Sequence, residues 1–272
     1  MFEQIGRAIH LTEAGRELHR YCLEILHQMH EAKTVLDRLK GLKSGQLRIA
    51  IGPTAKYFVP KLLAVFLKKY PEVSIDLNIA SHESLLMQVS NNERDMVIMG
   101  MPPRDDTLTS TPFLNDPLVV IVSPLHPLAE QQGVSLARLA EEPFLMREPS
   151  SATCNAIEEY FKKHQIQLRT FMTINSNEAI KQSVQAGLGV AIVPLQSIVQ
   201  ELICGRLSIL DISGMPLQRS WYLVHRNEKC FSHVAEEFRN FVLQQAGRYV
   251  DADERALKLG RRLSCTDSAL MG

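Results

Sequence analysis

The sequence lacks the marks of several protein classes. Its five cysteines (Cys22, Cys154, Cys204, Cys230 and Cys265) are odd in number, widely scattered and form no C-x-x-C pair. That argues against a disulfide framework or a structural zinc site and fits the reducing cytoplasm. No run approaches the roughly 18 apolar residues of a membrane span, and the most apolar stretch, LGVAIVPL, is strand-sized. No charged n-region followed by an apolar run is visible at the start, so neither a signal peptide nor a membrane partner is expected. Excess positive charge is missing too: 30 Lys and Arg balance 30 Asp and Glu. A chain that gripped nucleic acid with its whole surface would be basic. G-x-S-x-G, H-E-x-x-H, P-loop and G-x-G-x-x-G motifs are absent, as are low-complexity segments and repeats of solenoid length. No catalytic residue, metal or bound cofactor is therefore expected, and the chain is read as a non-enzyme. His27, His30 and Glu31 have a spacing a metal could use, but they lie off the apolar seam described below and read as a solvated face. Cys154 sits near a helix start, where a dipole can lower a thiol pKa; a passive small residue is the simpler reading.

What is present belongs to a soluble α/β protein. The chain has 272 residues, 45% hydrophobic and 22% charged, enough for a sizeable core and more than one average domain. Residues 2–11, FEQIGRAIHL, alternate apolar and polar side chains like a short strand. Then Leu11, Gly15, Leu18, Cys22, Ile25, Met29, Ala32, Leu36 and Leu39 follow one another at heptad spacing, with Thr12 placed to cap a helix and Gly41 and Gly45 to end it. Such a seam either lies on its own domain or meets a second copy. A dimerising helix is the expected case.

From Gln46 the pattern alternates between strand and helix. QLRIAI, EVSIDLNI and RDMVIMG read as strands separated by helices over 54–70 and 81–92. A second unit follows, with strands in EPFLMR, LRTFMTI, GVAIVP and LSILDI and helices over 151–164, 176–187 and 195–205. This order predicts two lobes with parallel sheets. Polar turns then fall at strand ends: Pro53-Thr54-Ala55, followed by Lys56; Ser150-Ser151-Ala152-Thr153 after Arg147; and Asn175-Ser176-Asn177-Glu178, with Asn175 and Glu178 at capping-box spacing. Gly100 and Pro102 end the third strand and add a wall. Each residue serves as an ordinary cap when taken alone. Together, at the carboxyl ends of parallel strands, they would gather unpaired helix N–H groups around one cleft and suit an anion.

Three stretches carry a resemblance to a known family. MFEQIGRAIHLTEAGRELHRYC resembles the wing and linker-helix start of LysR-type transcriptional regulators; LRIAIGPTAKYFVPKLLAVFLKKYPEVSIDL and SNEAIKQSVQAGLGVAIVP resemble their effector domain. Within the family, TAKYFVPKLL, PLVVIVSPLHPLA, LAEEPFLMREPSSAT and RSWYLVH are similar to regulators of RuBisCO operons. The resemblance implies a wing remnant over 1–10, a linker helix over 11–43 and a periplasmic-binding-protein-like effector domain over 46–247. That domain would consist of two Rossmann-like lobes, lobe one 46–115 plus 219–247 and lobe two 116–218, followed by a flexible tail over 248–272. It also implies an inducer held between the lobes by Pro53, Thr54, Ala55, Arg147, Ser150, Ser151, Thr153, Ser176 and Asn177, with phosphorylated metabolites or NADPH as candidates. Relatives carry a Gly-Ser-Gly-Thr-Arg-like turn where this chain has Ser150-Ser151-Ala152-Thr153-Cys154, without the Arg. Implied partners are promoter DNA through an N-terminal helix-turn-helix that is expected to be largely missing from this chain, RNA polymerase, and the chain itself as dimer or tetramer. A regulator of another operon and a two-lobed solute-binding protein are the alternatives; the heptad helix speaks against the second.

Overall fold

The computed structural model describes residues 1–5, 8–39 and 45–250. Strands β1 (Phe2–Ile5) and β2 (Ala8–Leu11) pair antiparallel, with Phe2 opposite Leu11. The single strand expected over this stretch is therefore a hairpin, because alternation does not mark where a chain reverses; the reversal at 6–7 lies outside the described residues. Helix α1 (Glu13–Leu39) follows, its start fixed by Thr12, whose Oγ1 accepts from the Gly15 amide at 3.1 Å. Leu11, expected in the helical seam, thus belongs to the hairpin. Gly15 is occupied from within: a Cβ there would stand 2.0 Å from the Met1 carbonyl oxygen. The remaining seam residues face outward, Leu18, Ile25 and Met29 being 42%, 57% and 66% exposed and Cys22 also exposed. The side chains of Leu36 and Leu39, like those of His27, His30 and Glu31, lie outside the described ones, as does the expected helix end at 40–44.

Next come β3 (Gly45–Ile51), a 3-10 turn (Pro53–Tyr57), α2 (Val59–Lys69), β4 (Val73–Ile79), α3 (His82–Ser90), β5 (Met96–Met99) and β6 (Leu108–Asn115). The chain then builds β7 (Leu118–Val122), α4 (Leu136–Ala140), β8 (Phe144–Arg147), α5 (Ala152–Lys163), β9 (Thr170–Ile174), α6 (Asn177–Gln185) and β10 (Ala191–Pro194). A 3-10 turn (Leu195–Ile198), α7 (Val199–Ile203), β11 (Ser208–Ile209), β12 (Ser220–Arg226) and α8 (His233–Val250) complete it. The one helix expected over 54–70 is split. Pro60 has no N–H and is tolerated in a first helical turn, so α2 begins at Val59. The strand expected in LSILDI shrinks to Ser208–Ile209, and α8 runs through 248–250, where the tail was expected to begin. Residues 251–272 lie outside the described ones.

The first sheet has the order β4-β3-β5-β12-β6. β3 is parallel to β4 and β5, whereas β12 is antiparallel to β5 and β6. In the second lobe β10-β7-β11 is antiparallel and β8-β9 parallel; a parallel bridge between Phe144 and Val190 joins them. Both lobes therefore follow one pattern: a first strand flanked by two parallel neighbours, then an antiparallel strand. The parallel-only sheets expected from sequence are corrected to mixed ones. In each lobe the antiparallel strand adjoins a passage between the lobes, and periodicity carries no direction.

Each sheet is covered on both faces. Ile49, Phe58, Phe66, Trp221 and Phe238 fill one side of the first, and Leu85, Val97 and Met99 the other. Phe144 and Phe161 lie on one side of the second, Leu145, Ile180 and Leu195 on the other. This double burial explains why β5 and β10 read as unbroken apolar runs.

Candidate functional site

The carboxyl ends of β3, β5 and β8 point into a small cavity, partly open to solvent, beside the two passages between lobes. The parallel strands force this: each delivers the turn that follows it to the same edge of its sheet.

The second lobe supplies the polar wall. Ser151 caps α5, its Oγ accepting from the amides of Thr153 and Cys154 at 3.2 and 3.4 Å. Thr153 is buried and its Oγ1 accepts from Arg219 Nη1 at 3.2 Å. Arg147, only 5% exposed, ends β8. Its Nη1 donates to Asn177 Oδ1 at 2.8 Å, and its Nε and Nη2 donate to Oε2 and Oε1 of Glu148, each at 2.8 Å. Burial alone would raise the Glu148 carboxyl; the hydrogen bonds and charge of Arg147 outweigh it and hold the group below the ordinary carboxylate range.

The first lobe supplies a mixed wall. Gly52, Pro53 and Thr54 enter from the turn after β3, and Leu85, Met99 and Trp221 form an apolar floor. Ser81 caps α3, its Oγ accepting from the Ser84 amide at 3.3 Å, and places His82 on the cavity. Burial lowers the His82 pKa from its ordinary value, and its buried Nδ1 has no partner among the described residues.

Arg219 closes the inner end. Its Nε donates to Asp116 Oδ2 at 2.8 Å, and Nη2 bonds the same oxygen. Asp116 is fully buried; burial pushes its carboxyl above the ordinary range, against the pull of the guanidinium. The guanidinium packs over Gly100, where a Cβ would stand 3.3 Å from Cζ, so the missing side chain makes room for the charge.

A second bridge crosses between the lobes. The Tyr57 hydroxyl donates to Glu178 Oε1. Lys181, buried, holds Glu178 at 2.9 Å, Glu201 at 2.7 Å and the Ser197 carbonyl at 2.8 Å. Burial, then the hydrogen bond to Glu178, push the Tyr57 phenol well above its usual range. Burial opposes ionisation of Glu178, but its bonds to Tyr57 and Lys181 prevail and lower its pKa.

Of the residues expected from sequence, Pro53, Thr54, Gly100, Arg147, Ser150, Ser151 and Thr153 line the cavity. Five do not. Ala55 turns into the first core, since a 3-10 turn sends successive side chains to different faces. Lys56 projects outward, 3.9 Å from Glu178. Pro102 lines an adjoining groove on the far side of Arg219. Ser176, rather than Asn175, caps α6, accepting from the Ala179 amide at 3.3 Å. Asn177 lies behind Arg147 and positions it. Sequence reasoning missed Ser81, His82, Glu148, Arg219 and Trp221. Ser81 was legible, as a hydroxyl between a strand and a helix; the others reach the cavity through tertiary placement.

Residues 40–247 match the profile of the LysR substrate binding domain. A RuBisCO operon transcriptional regulator of Allochromatium vinosum is 44% identical over 248 residues, which is 91% of this chain and 82% of that protein. The HTH-type transcriptional activator CmpR of Synechocystis sp. is 42% identical over 242 residues, 89% of this chain and 80% of its own length. Among solved structures, the CcmR regulatory domain of Synechocystis PCC6803 in complex with 2-PG is similar at a TM-score of 0.70 and 37% identity, over 74% of this chain and 96% of that one. A Corynebacterium glutamicum OxyR mutant shares the fold at a TM-score of 0.69 and 24% identity, over 96% of this chain and 80% of its own. Among the described residues no helix is long and apolar enough to cross a membrane.

Proposed function

Because the chain belongs to the LysR family of transcriptional regulators, we propose that the cavity between its lobes senses a small phosphorylated carboxylate of the 2-phosphoglycolate type and thereby controls carbon-fixation genes. The observation that carries this reading is the convergence, on one cavity, of two helix starts, the hydroxyls of Thr54, Ser150, Ser151 and Thr153, and the guanidinium groups of Arg147 and Arg219. Helix N-termini and guanidinium groups favour phosphate over a neutral metabolite. The relationship to RuBisCO operon regulators and to a regulatory domain complexed with 2-PG supports the choice of gene set and ligand.

The lobes at 46–115 plus 219–247 and at 116–218 act as two jaws. A ligand that touches both favours the closed arrangement, and its differential affinity sets how far the population moves. The exposed apolar face of α1, with Leu18, Cys22, Ile25 and Met29, pairs with a second copy, and the motion of the jaws reaches the paired helices. In the cytoplasm the output passes to promoter DNA through a helix-turn-helix and on to RNA polymerase. The protein on this reading is a sensor and not a catalyst.

Titration calorimetry of this chain with 2-phosphoglycolate, 3-phosphoglycerate, NADPH and glycolate tests the proposal. Saturable binding of a phosphorylated member and none of glycolate is expected. Heats indistinguishable from dilution for every member would contradict it.

A further inference from the structure

We propose that Glu148 is a built-in competitor for the ligand's anion: its carboxylate takes the Arg147 donors that a ligand phosphate requires, and binding proceeds by exchanging one for the other. The inference rests on the cavity being an anion site and adds how that site is regulated and made selective.

The argument begins with occupancy. Three nitrogens of Arg147 are engaged, Nη1 with Asn177 and both Nε and Nη2 with Glu148 in a forked pair. A fork of two parallel N–H donors is the arrangement by which a guanidinium grips a carboxylate or a phosphate. Glu148 therefore already fills the position that a ligand oxygen pair would take.

Charge points the same way. Two formal cations line the cavity, Arg147 and Arg219, and each already holds a carboxylate, from Glu148 and Asp116 respectively. The lining is thus balanced. A phosphate ligand entering with every pair intact would bring uncompensated charge into a partly desolvated space, which is costly.

One of the two carboxylates must yield, and burial decides which. The Asp116 side chain is fully buried, and its amide is held by the Arg219 carbonyl at 2.7 Å. The Glu148 side chain is 31% exposed and is followed by Pro149 and Ser150, both at the surface. It has a route to water that Asp116 lacks. Asn177, 5% exposed, stays behind Arg147 and keeps the guanidinium aimed while its partner changes. The exchange also sets selectivity. A monocarboxylate gains nothing by replacing another carboxylate, whereas a phosphate brings a second charge and a third oxygen for the α5 amides.

The test is calorimetry with 2-phosphoglycolate, inorganic phosphate and glycolate on the wild type, Glu148→Gln, Arg147→Gln and the double variant, with circular dichroism to verify folding. Glu148→Gln removes the charge and keeps the side chain's size. It is expected to tighten 2-phosphoglycolate by about tenfold or more and to admit glycolate, while Arg147→Gln abolishes binding in either background. Unchanged affinity in Glu148→Gln would overturn the proposal and leave the cavity reading standing. So would weaker binding, which would make Glu148 a direct ligand contact. Binding that survives Arg147→Gln would place the anion elsewhere and overturn it as well. Absence of binding in both wild type and Glu148→Gln would remove the cavity reading and this inference together.

Discussion

Asp116 and Arg219 hold each other twice across the two passages between the lobes: the Asp116 amide donates to the Arg219 carbonyl at 2.7 Å, and Arg219 Nε donates to the Asp116 carboxylate at 2.8 Å. The same guanidinium reaches Thr153 at the start of α5. A change at the cavity is therefore one bond away from both passages.

Removing one partner of this buried pair strands the other. Asp116→Ala is expected to cost about 3–5 kcal/mol of unfolding free energy, measured by urea denaturation, because the buried guanidinium loses its counter-charge. A loss within 0.5 kcal/mol, the order expected of an exposed pair, would show that the passages are held by other contacts.

The Tyr57–Glu178 bridge predicts an acid limb in stability. Glu178 has a folded pKa below its ordinary 4.5, so its contribution is full above that value and is lost as pH falls through the folded one. Glu178→Gln should lower the urea midpoint at pH 7 and flatten its fall below the ordinary carboxylate value of 4.5. Parallel curves for the variant and the wild type would assign the acid limb to other carboxyls.

Cysteine labelling should separate along burial. Burial first, then the charge of Glu158, push the Cys154 thiol up to about 11, whereas Cys204 and Cys230 are exposed and lie away from α1. Iodoacetamide at pH 8, followed by peptide mass mapping, is expected to modify those two well before Cys154. Early modification of Cys154 would mean that the start of α5 opens readily.

The outward face of α1 predicts self-association. Ile25→Glu places a charge in the middle of the Leu18–Met29 stripe, where Ile25 is 57% exposed in the single chain. Sedimentation should show the wild type as a dimer or larger and the variant shifted toward monomer by at least tenfold in dissociation constant, with an unchanged circular dichroism spectrum. Equal masses for the two would move the interface off this face.

Much of the fold was legible because both sheets are buried on two sides, which writes β5 and β10 as plain apolar runs. Strand direction was not legible: β12 looks like any other alternating segment, and its antiparallel course follows from its return out of the second lobe. The cavity was half legible. Ser151 and Thr153 follow a strand directly, so helix-start chemistry located them. Glu148 adjoins Arg147 in sequence, yet nothing there marks the fork the two side chains form; Arg219 carries no local signal, because its role depends on a pair made with Asp116, over a hundred residues away. Ala55 and Lys56 failed for a geometric reason. The segment after β3 is a 3-10 turn rather than an α-helical start, and it turns those two side chains away.

The most direct test of the central claim is the position of the ligand itself, from a crystal structure of this chain grown with 2-phosphoglycolate. The account predicts the phosphate at the start of α5, within hydrogen-bonding distance of the Thr153 hydroxyl and the Arg147 guanidinium, with the Glu148 carboxylate turned toward solvent. A ligand bound outside the cavity, or seated within it while the Arg147–Glu148 fork remains closed, would contradict it.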